Sequence, residues 1–97
     1  MPRLDGEKRI TIPYDIRNET SIGTAKKIVF FYEDGKVFLA NSNIEEEFRD
    51  KLVVSKKSLD SKGRIYISSY ILELLDATVD DIFIIALLND KICMLKK

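Results

Sequence analysis

The sequence contains no histidine and no tryptophan, one cysteine, two prolines and four glycines in 97 residues. Without histidine, nucleophile–base pairs of the Ser-His or Cys-His kind are excluded. A zinc site is left with no imidazole and a single thiolate. Cys93 cannot close an internal disulfide, and within Ile92-Cys93-Met94-Leu95 it reads as a small buried core residue. No apolar stretch approaches the roughly 20 residues that span a bilayer; the longest runs from Ile82 to Leu88. The N-terminus, Met1-Pro2-Arg3-Leu4-Asp5, lacks an apolar signal segment. A cytoplasmic protein without a membrane partner is therefore expected. Excess charge is absent too: 16 Lys and Arg balance 16 Asp and Glu, which taken globally argues against non-specific nucleic-acid binding. Nothing supplies a general base with its partner, a metal cluster or a phosphate loop, so neither an enzyme nor a cofactor is expected.

What the chain does have is a repeat. Residues Leu4 to Ala40 align without a gap onto Leu59 to Leu95 at a shift of 55. Leu4/Leu59, Asp5/Asp60, Arg9/Arg64, Ile10/Ile65, Ile12/Ile67, Ile16/Ile71 and Lys36/Lys91 are identical, and apolar positions coincide along the whole unit. Such coincidence marks a duplication. The boundaries are repeat one over 3–41, repeat two over 57–97 and a linker between them, all in one domain. About 40 residues cannot bury an adequate core alone, so the two units are expected to share one.

Each unit carries the same order of elements. A strand comes first, Arg9-Ile10-Thr11-Ile12 or Arg64-Ile65-Tyr66-Ile67, with isoleucines alternating against polar neighbours. A short helix follows, with Pro13 suited to the first helical position in unit one and Ser68 to the N-cap in unit two. A hairpin closes each unit. Lys27–Tyr32 and Lys36–Ala40 flank Asp34-Gly35, a strong tight-turn signal; Ile82–Leu88 and Lys91–Leu95 flank the weaker Asn89-Asp90. The linker predicts an amphipathic helix over 43–53. Asn43 and Glu46 fit a capping box, Ile44, Phe48 and Leu52 share a face, and Glu45-Glu46-Glu47 precede Arg49 and Lys51.

Charge is unevenly distributed. Residues 2–17 and 56–64 hold eight basic residues (Arg3, Lys8, Arg9, Arg17, Lys56, Lys57, Lys62, Arg64) against Asp5, Glu7, Asp15 and Asp60, a local net of +4. The rest of the chain carries −4. If a pseudo-two-fold axis brings both segments to one side, that side is basic although the protein is neutral.

The motif at the head of each unit is Asp-x-x-x-Arg-Ile-x-Ile. In unit two, Lys57-Ser58-Leu59-Asp60-Ser61-Lys62-Gly63-Arg64-Ile65-Tyr66-Ile67 resembles the DNA-binding unit of the AbrB/MazE/SpoVT superfamily. In unit one, Ile12-Pro13-Tyr14-Asp15-Ile16-Arg17 is similar to that family's Ile-Pro-x-x-Leu-Arg. Two such motifs in one chain resemble the tandem form found in MraZ proteins.

The resemblance implies a mainly β fold with short helices: a swapped-hairpin, double-split β-barrel formed by two tandem βαββ repeats. It implies a transcription regulator that grips double-stranded DNA through Arg3, Lys8, Arg9, Arg17, Lys57, Lys62 and Arg64. Arginine suits this because its planar fork can hold a guanine edge or a phosphate bidentately, whereas lysine acts as a point charge on the backbone. Asp5 and Asp60 read better as braces of their loops than as DNA contacts. Thr11 and Tyr66 point away from the core isoleucines, either flanking the DNA surface or packing on a neighbour.

The units also differ. Unit one has Lys8 where the family commonly has glycine, so its loop is expected to depart in geometry; unit two has Ser68 for proline and Leu72-Glu73 where basic residues are usual. The run Ile82–Leu88 lacks alternation, which predicts burial on both faces and self-association through the second hairpin. Two alternatives accompany the regulator. One is an antitoxin of the same fold, disfavoured because the chain ends at Lys96-Lys97 without an acidic tail. The other is a structural oligomer that has lost DNA binding.

Overall fold

A computed structural model describes residues 2–43 and 50–97. The chain is mainly β, with short helices. Repeat one contains β1 (Arg9–Thr11), α1 (Tyr14–Glu19), a 3-10 turn (Ser21–Thr24), β2 (Ile28–Glu33) and β3 (Lys36–Asn41). After the linker come β4 (Leu52–Lys57), β5 (Arg64–Tyr66), α2 (Ser69–Leu74), β6 (Phe83–Leu88) and β7 (Lys91–Lys96). No helix among the described residues is long and apolar enough to cross a membrane.

Two sheets form, and both are built across the repeats. β1 and β5 make a two-stranded antiparallel sheet, and the larger sheet has the order β4-β2-β3-β7-β6. Its centre is the β3–β7 pairing, Val37 opposite Met94 and Leu39 opposite Ile92, so each hairpin lies beside its duplicate. Both hairpins turn through two residues with positive φ: Asp34 (51°) and Gly35 (79°), then Asn89 (50°) and Asp90 (63°). This mirror-image turn matches the right-handed twist of the flanking strands. The weak Asn89-Asp90 signal thus gives the same turn as the strong one. Asp90 is tied further by accepting hydrogen bonds from the Ser21 backbone N–H and hydroxyl, both at 2.9 Å.

The alternating isoleucines make the core. Ile10, Ile12, Ile65 and Ile67 from the strands join Ile71 from α2. The hairpins add Phe30, Leu39, Phe83, Ile92 and Met94. Fully burying side chains of this size stabilises by about 1.5–3 kcal/mol each, and every one of these comes from a position matched in the repeat. Cys93 is buried, and desolvation raises its thiol pKa above the ordinary value.

Two expectations need correction, and a third is met only in part within one chain. Pro13 is the residue before α1 and not its first member, with its carbonyl accepting from Arg17 N–H at 3.0 Å. Ser68, by contrast, does cap α2: its hydroxyl accepts from Ile71 N–H at 3.2 Å. The linker helix expected over 43–53 has its centre, residues 44–49, outside the described residues; its last positions, Leu52 and Val53, lie in a strand. β-branched Val53 and Val54 suit that strand, and β2 offers it an edge. An extra residue, Val54, bulges where Phe30 faces Ser55 and Phe31 faces Val53, and Val54 packs against the core. Lastly, the run Ile82–Leu88 is not buried on both faces within one chain. Phe83 is buried and Ile85 packs against the core, while Ile84, Leu87 and Leu88 are exposed.

Candidate nucleic-acid interface

The Asp-x-x-x-Arg spacing folds into one loop, made twice. Asp5 Oδ1 accepts the backbone N–H groups of Glu7 (2.9 Å) and Arg9 (3.0 Å), while Oδ2 accepts Arg9 Nε–H at 2.8 Å. Asp60 repeats this with Lys62 N–H and Arg64 N–H, both at 2.9 Å, and Arg64 Nε–H at 2.6 Å. A short carboxylate reaches backbone two and four residues on only when the chain doubles back. The doubling is closed by Asp5 N–H to Arg9 carbonyl (2.8 Å) and Asp60 N–H to Arg64 carbonyl (2.9 Å).

The turn needs a left-handed residue just before the arginine: Gly63 at φ 76° and Lys8 at φ 62°. The expectation that Lys8 changes the loop is therefore overturned. Lysine accepts the conformation that glycine takes freely, with the steric cost left-handed backbone carries. Three hydrogen bonds to each carboxylate, the backbone N–H of the arginine foremost, lower the pKa of both aspartates; Asp60 falls from 3.8 to about 2.

The β1–β5 pairing then brings the two loops together. Ile10 faces Ile65 on the buried side, so Arg9 opposite Tyr66 and Thr11 opposite Arg64 share the outward side. Reciprocal bonds lock the loops to the opposite strand ends: Ile12 N–H to Gly63 carbonyl at 2.9 Å, and Ile67 N–H to Lys8 carbonyl at 2.8 Å. Arg9 Nη1 lies 3.9 Å from Asp60 Oδ2, so the loops are neighbours. Tyr66, 40% exposed, holds an ammonium near its ring on two counts: Lys8 Nζ at 5.5 Å and Lys57 Nζ at 5.4 Å from the centroid. Lys8 Nζ also donates to Ser69 Oγ at 2.7 Å, tying loop one to the start of α2.

The arginines are not equivalently engaged. Arg9 Nη2 pairs with Glu7 Oε2 at 3.0 Å, whereas the terminal nitrogens of Arg64 have no ion pair among the described residues. Glu7 is the loop's one departure in charge, since Lys62 occupies its place in unit two. Arg17 reaches from α1 to the other loop. Its Nε donates to Ile12 carbonyl at 2.9 Å, its guanidinium lies 5.6 Å from the Tyr14 centroid, and a side chain at Gly63 would collide with that guanidinium. In unit two the matching residue is Leu72, which is buried.

Of the seven residues expected to contact DNA, Lys8, Arg9, Arg17, Lys57 and Arg64 are thus linked through the two loops and Tyr66. Lys62 is exposed, and its backbone joins the Asp60 loop. Arg3 is apart: it bridges Ile82, and its Nη1 lies 3.4 Å from the Asp80 carbonyl. Two residues join the cluster that the site reading did not include. Tyr66 was recognisable as outward-facing from its alternation with Ile65 and Ile67. Ser69 had no sequence signal, because its contact with Lys8 depends on register between repeats. In comparisons with known proteins, no family model, curated protein or solved structure matches the chain.

Proposed function

We propose that the protein is a DNA-binding transcription regulator of the AbrB-like kind. The outward face of β1 and β5 is its contact with duplex DNA. The observation that carries this reading is the doubled brace: each arginine is held at Nε by an aspartate, which orients the remaining guanidinium nitrogens. Guanidinium groups fixed in this way lose little further freedom on meeting a guanine edge or phosphate. Lys8 and Lys57 beside them supply sequence-independent charge, and Tyr66 a flat surface between them. The outer pair between Arg9 and Glu7 is no obstacle, because Glu7 is 73% exposed and such surface pairs are worth about 0–1 kcal/mol.

The same proposal takes the two sheets as parts of a swapped-hairpin barrel in which one chain supplies both halves. Pairing of β1 with β5 and of β3 with β7, each across the repeats, supports it. A gel shift with fragmented genomic DNA tests the function. Binding that weakens steeply between low and moderate salt is expected. No shift at any salt concentration leaves the structural-oligomer reading instead.

A further inference from the structure

The five-stranded sheet has two edges, and they are treated differently. β4 covers the outer edge of β2, pairing Ile28 with Lys57 through Tyr32 with Leu52. β4 itself ends the sheet with Lys56 and Lys57 and a bulge at Val54, features that discourage further pairing. At the shift of 55, the counterpart of Lys57 is Pro2, and Phe83 N–H donates to the Pro2 carbonyl at 2.9 Å, as if a covering strand were starting. Among the described residues no backbone bond continues on that side of β6.

The uncovered stretch is Ile84-Ile85-Ala86-Leu87-Leu88, with no charge, proline or bulge. Ile84 is 38%, Leu87 42% and Leu88 50% exposed. Because Phe83 N–H points to the outer side, alternation directs the backbone groups of Ile85 and Leu87 there as well. The stretch is symmetric in size about its smallest residue, Ala86.

We propose that β6 is an interface between two copies of this chain, paired antiparallel about a two-fold axis at Ala86. In that register Ile85 exchanges both backbone hydrogen bonds with Leu87 of the second copy, and the symmetry mate repeats the exchange. Ile84 meets Leu88 of the second copy on one face, and Ala86 meets its own copy without hydrogen bonds. Each opposed pair lies on the same side of the joined sheet, as antiparallel pairing requires. An uncharged strand opposes no like charges when it meets itself, which singles out a second β6 over the lysine-bearing β4. This interface stands independently of the DNA reading.

Sedimentation over a range of protein concentrations tests it. The wild type is expected to reach twice 11.2 kDa, with a dissociation constant in the micromolar range that suits a small interface. Ala86→Lys places two ammonium groups at the axis and is expected to remain monomeric at tenfold higher concentration, with an unchanged circular dichroism spectrum. A second variant locates the contact. In a Cys93→Ala background, Ala86→Cys is expected to cross-link to a covalent dimer on mild oxidation. Opposed residues of a non-hydrogen-bonded pair have Cα atoms about 4.5 Å apart, within disulfide reach. A wild type that stays monomeric throughout, or a dimer that neither Ala86→Lys disrupts nor Ala86→Cys cross-links, overturns the proposal.

Discussion

The loops Asp5–Arg9 and Asp60–Arg64 have the same hydrogen bonds made from different residues. Four bonds around each aspartate agree within 0.2 Å in length, although only the first and last residues are identical. The aspartate and arginine therefore set the loop, and the three residues between are free to set its surroundings. Unit two uses that freedom for glycine, which lets Arg17 of unit one lie across its loop. Unit one uses it for Glu7, which occupies Arg9, and for Lys8, which reaches Ser69 and Tyr66. A duplicated scaffold has become two unlike arms: among the described residues the terminal guanidinium nitrogens of Arg64 have no ion pair, while those of Arg9 are engaged by Glu7.

The largest test of that comparison asks where the likeness holds. Ile10 and Ile65 face each other across the pseudo-two-fold axis, both essentially unexposed. Ile10→Ala and Ile65→Ala are each expected to cost about 2–5 kcal/mol, with near-equal midpoints in denaturant unfolding. Clearly unequal losses would mean that the core is not shared evenly.

The next test concerns the left-handed position. Gly63→Ala meets both an unfavourable φ and the Arg17 guanidinium, and a loss of about 1–3 kcal/mol is expected, read as a lower melting temperature. Lys8→Gly is expected to change stability by less than about 1 kcal/mol, since relief of strain offsets the greater freedom of the unfolded chain. Equal effects at the two positions would remove the distinction drawn between the loops.

A pH titration of stability follows. The Asp60 carboxyl titrates at about 2 in the folded protein against an ordinary 3.8. Its contribution is therefore complete above about 4 and is lost as pH falls toward 2. Asp5 is shifted in the same direction. Asp60→Asn is expected to flatten the acid side of the stability curve; an unchanged acid limb would mean that the brace carries no linkage. The smallest effect is expected from Glu7→Gln, which frees Arg9 and should tighten DNA binding about two- to fivefold, the scale of one exposed ion pair.

Much of the architecture was legible in the sequence, for an identifiable reason. Matching apolar positions at a shift of 55, alternating isoleucines and Asp34-Gly35 are local signals, and the strands and hairpins they specify are present. β4 was not legible. Leu52 completed a helical spacing with Ile44 and Phe48, whereas the strand depends on the β2 edge, a tertiary partner. The run in β6 is covered by its own chain only in part, so the burial on both faces that its lack of alternation predicts needs cover from elsewhere, which the local sequence does not specify. At the candidate site, the motif revealed Arg9, Arg64 and their aspartates. Lys8 against Ser69, Lys57 against Tyr66 and Arg17 against Gly63 required the register between repeats, which no single segment encodes.

The proposed grip on duplex DNA rests on the two braced arginines, and Arg64, without an outer ion pair among the described residues, is expected to contribute more than Arg9. Fluorescence anisotropy with a pool of genomic duplex fragments at one moderate salt concentration tests it most directly, comparing wild type, Arg9→Ala, Arg64→Ala and the double variant. Arg64→Ala is expected to weaken binding about 10- to 100-fold, the scale of one well-placed arginine contact, Arg9→Ala less, and the double variant more than either. A double variant that folds normally and binds the pool as tightly as wild type would contradict the account.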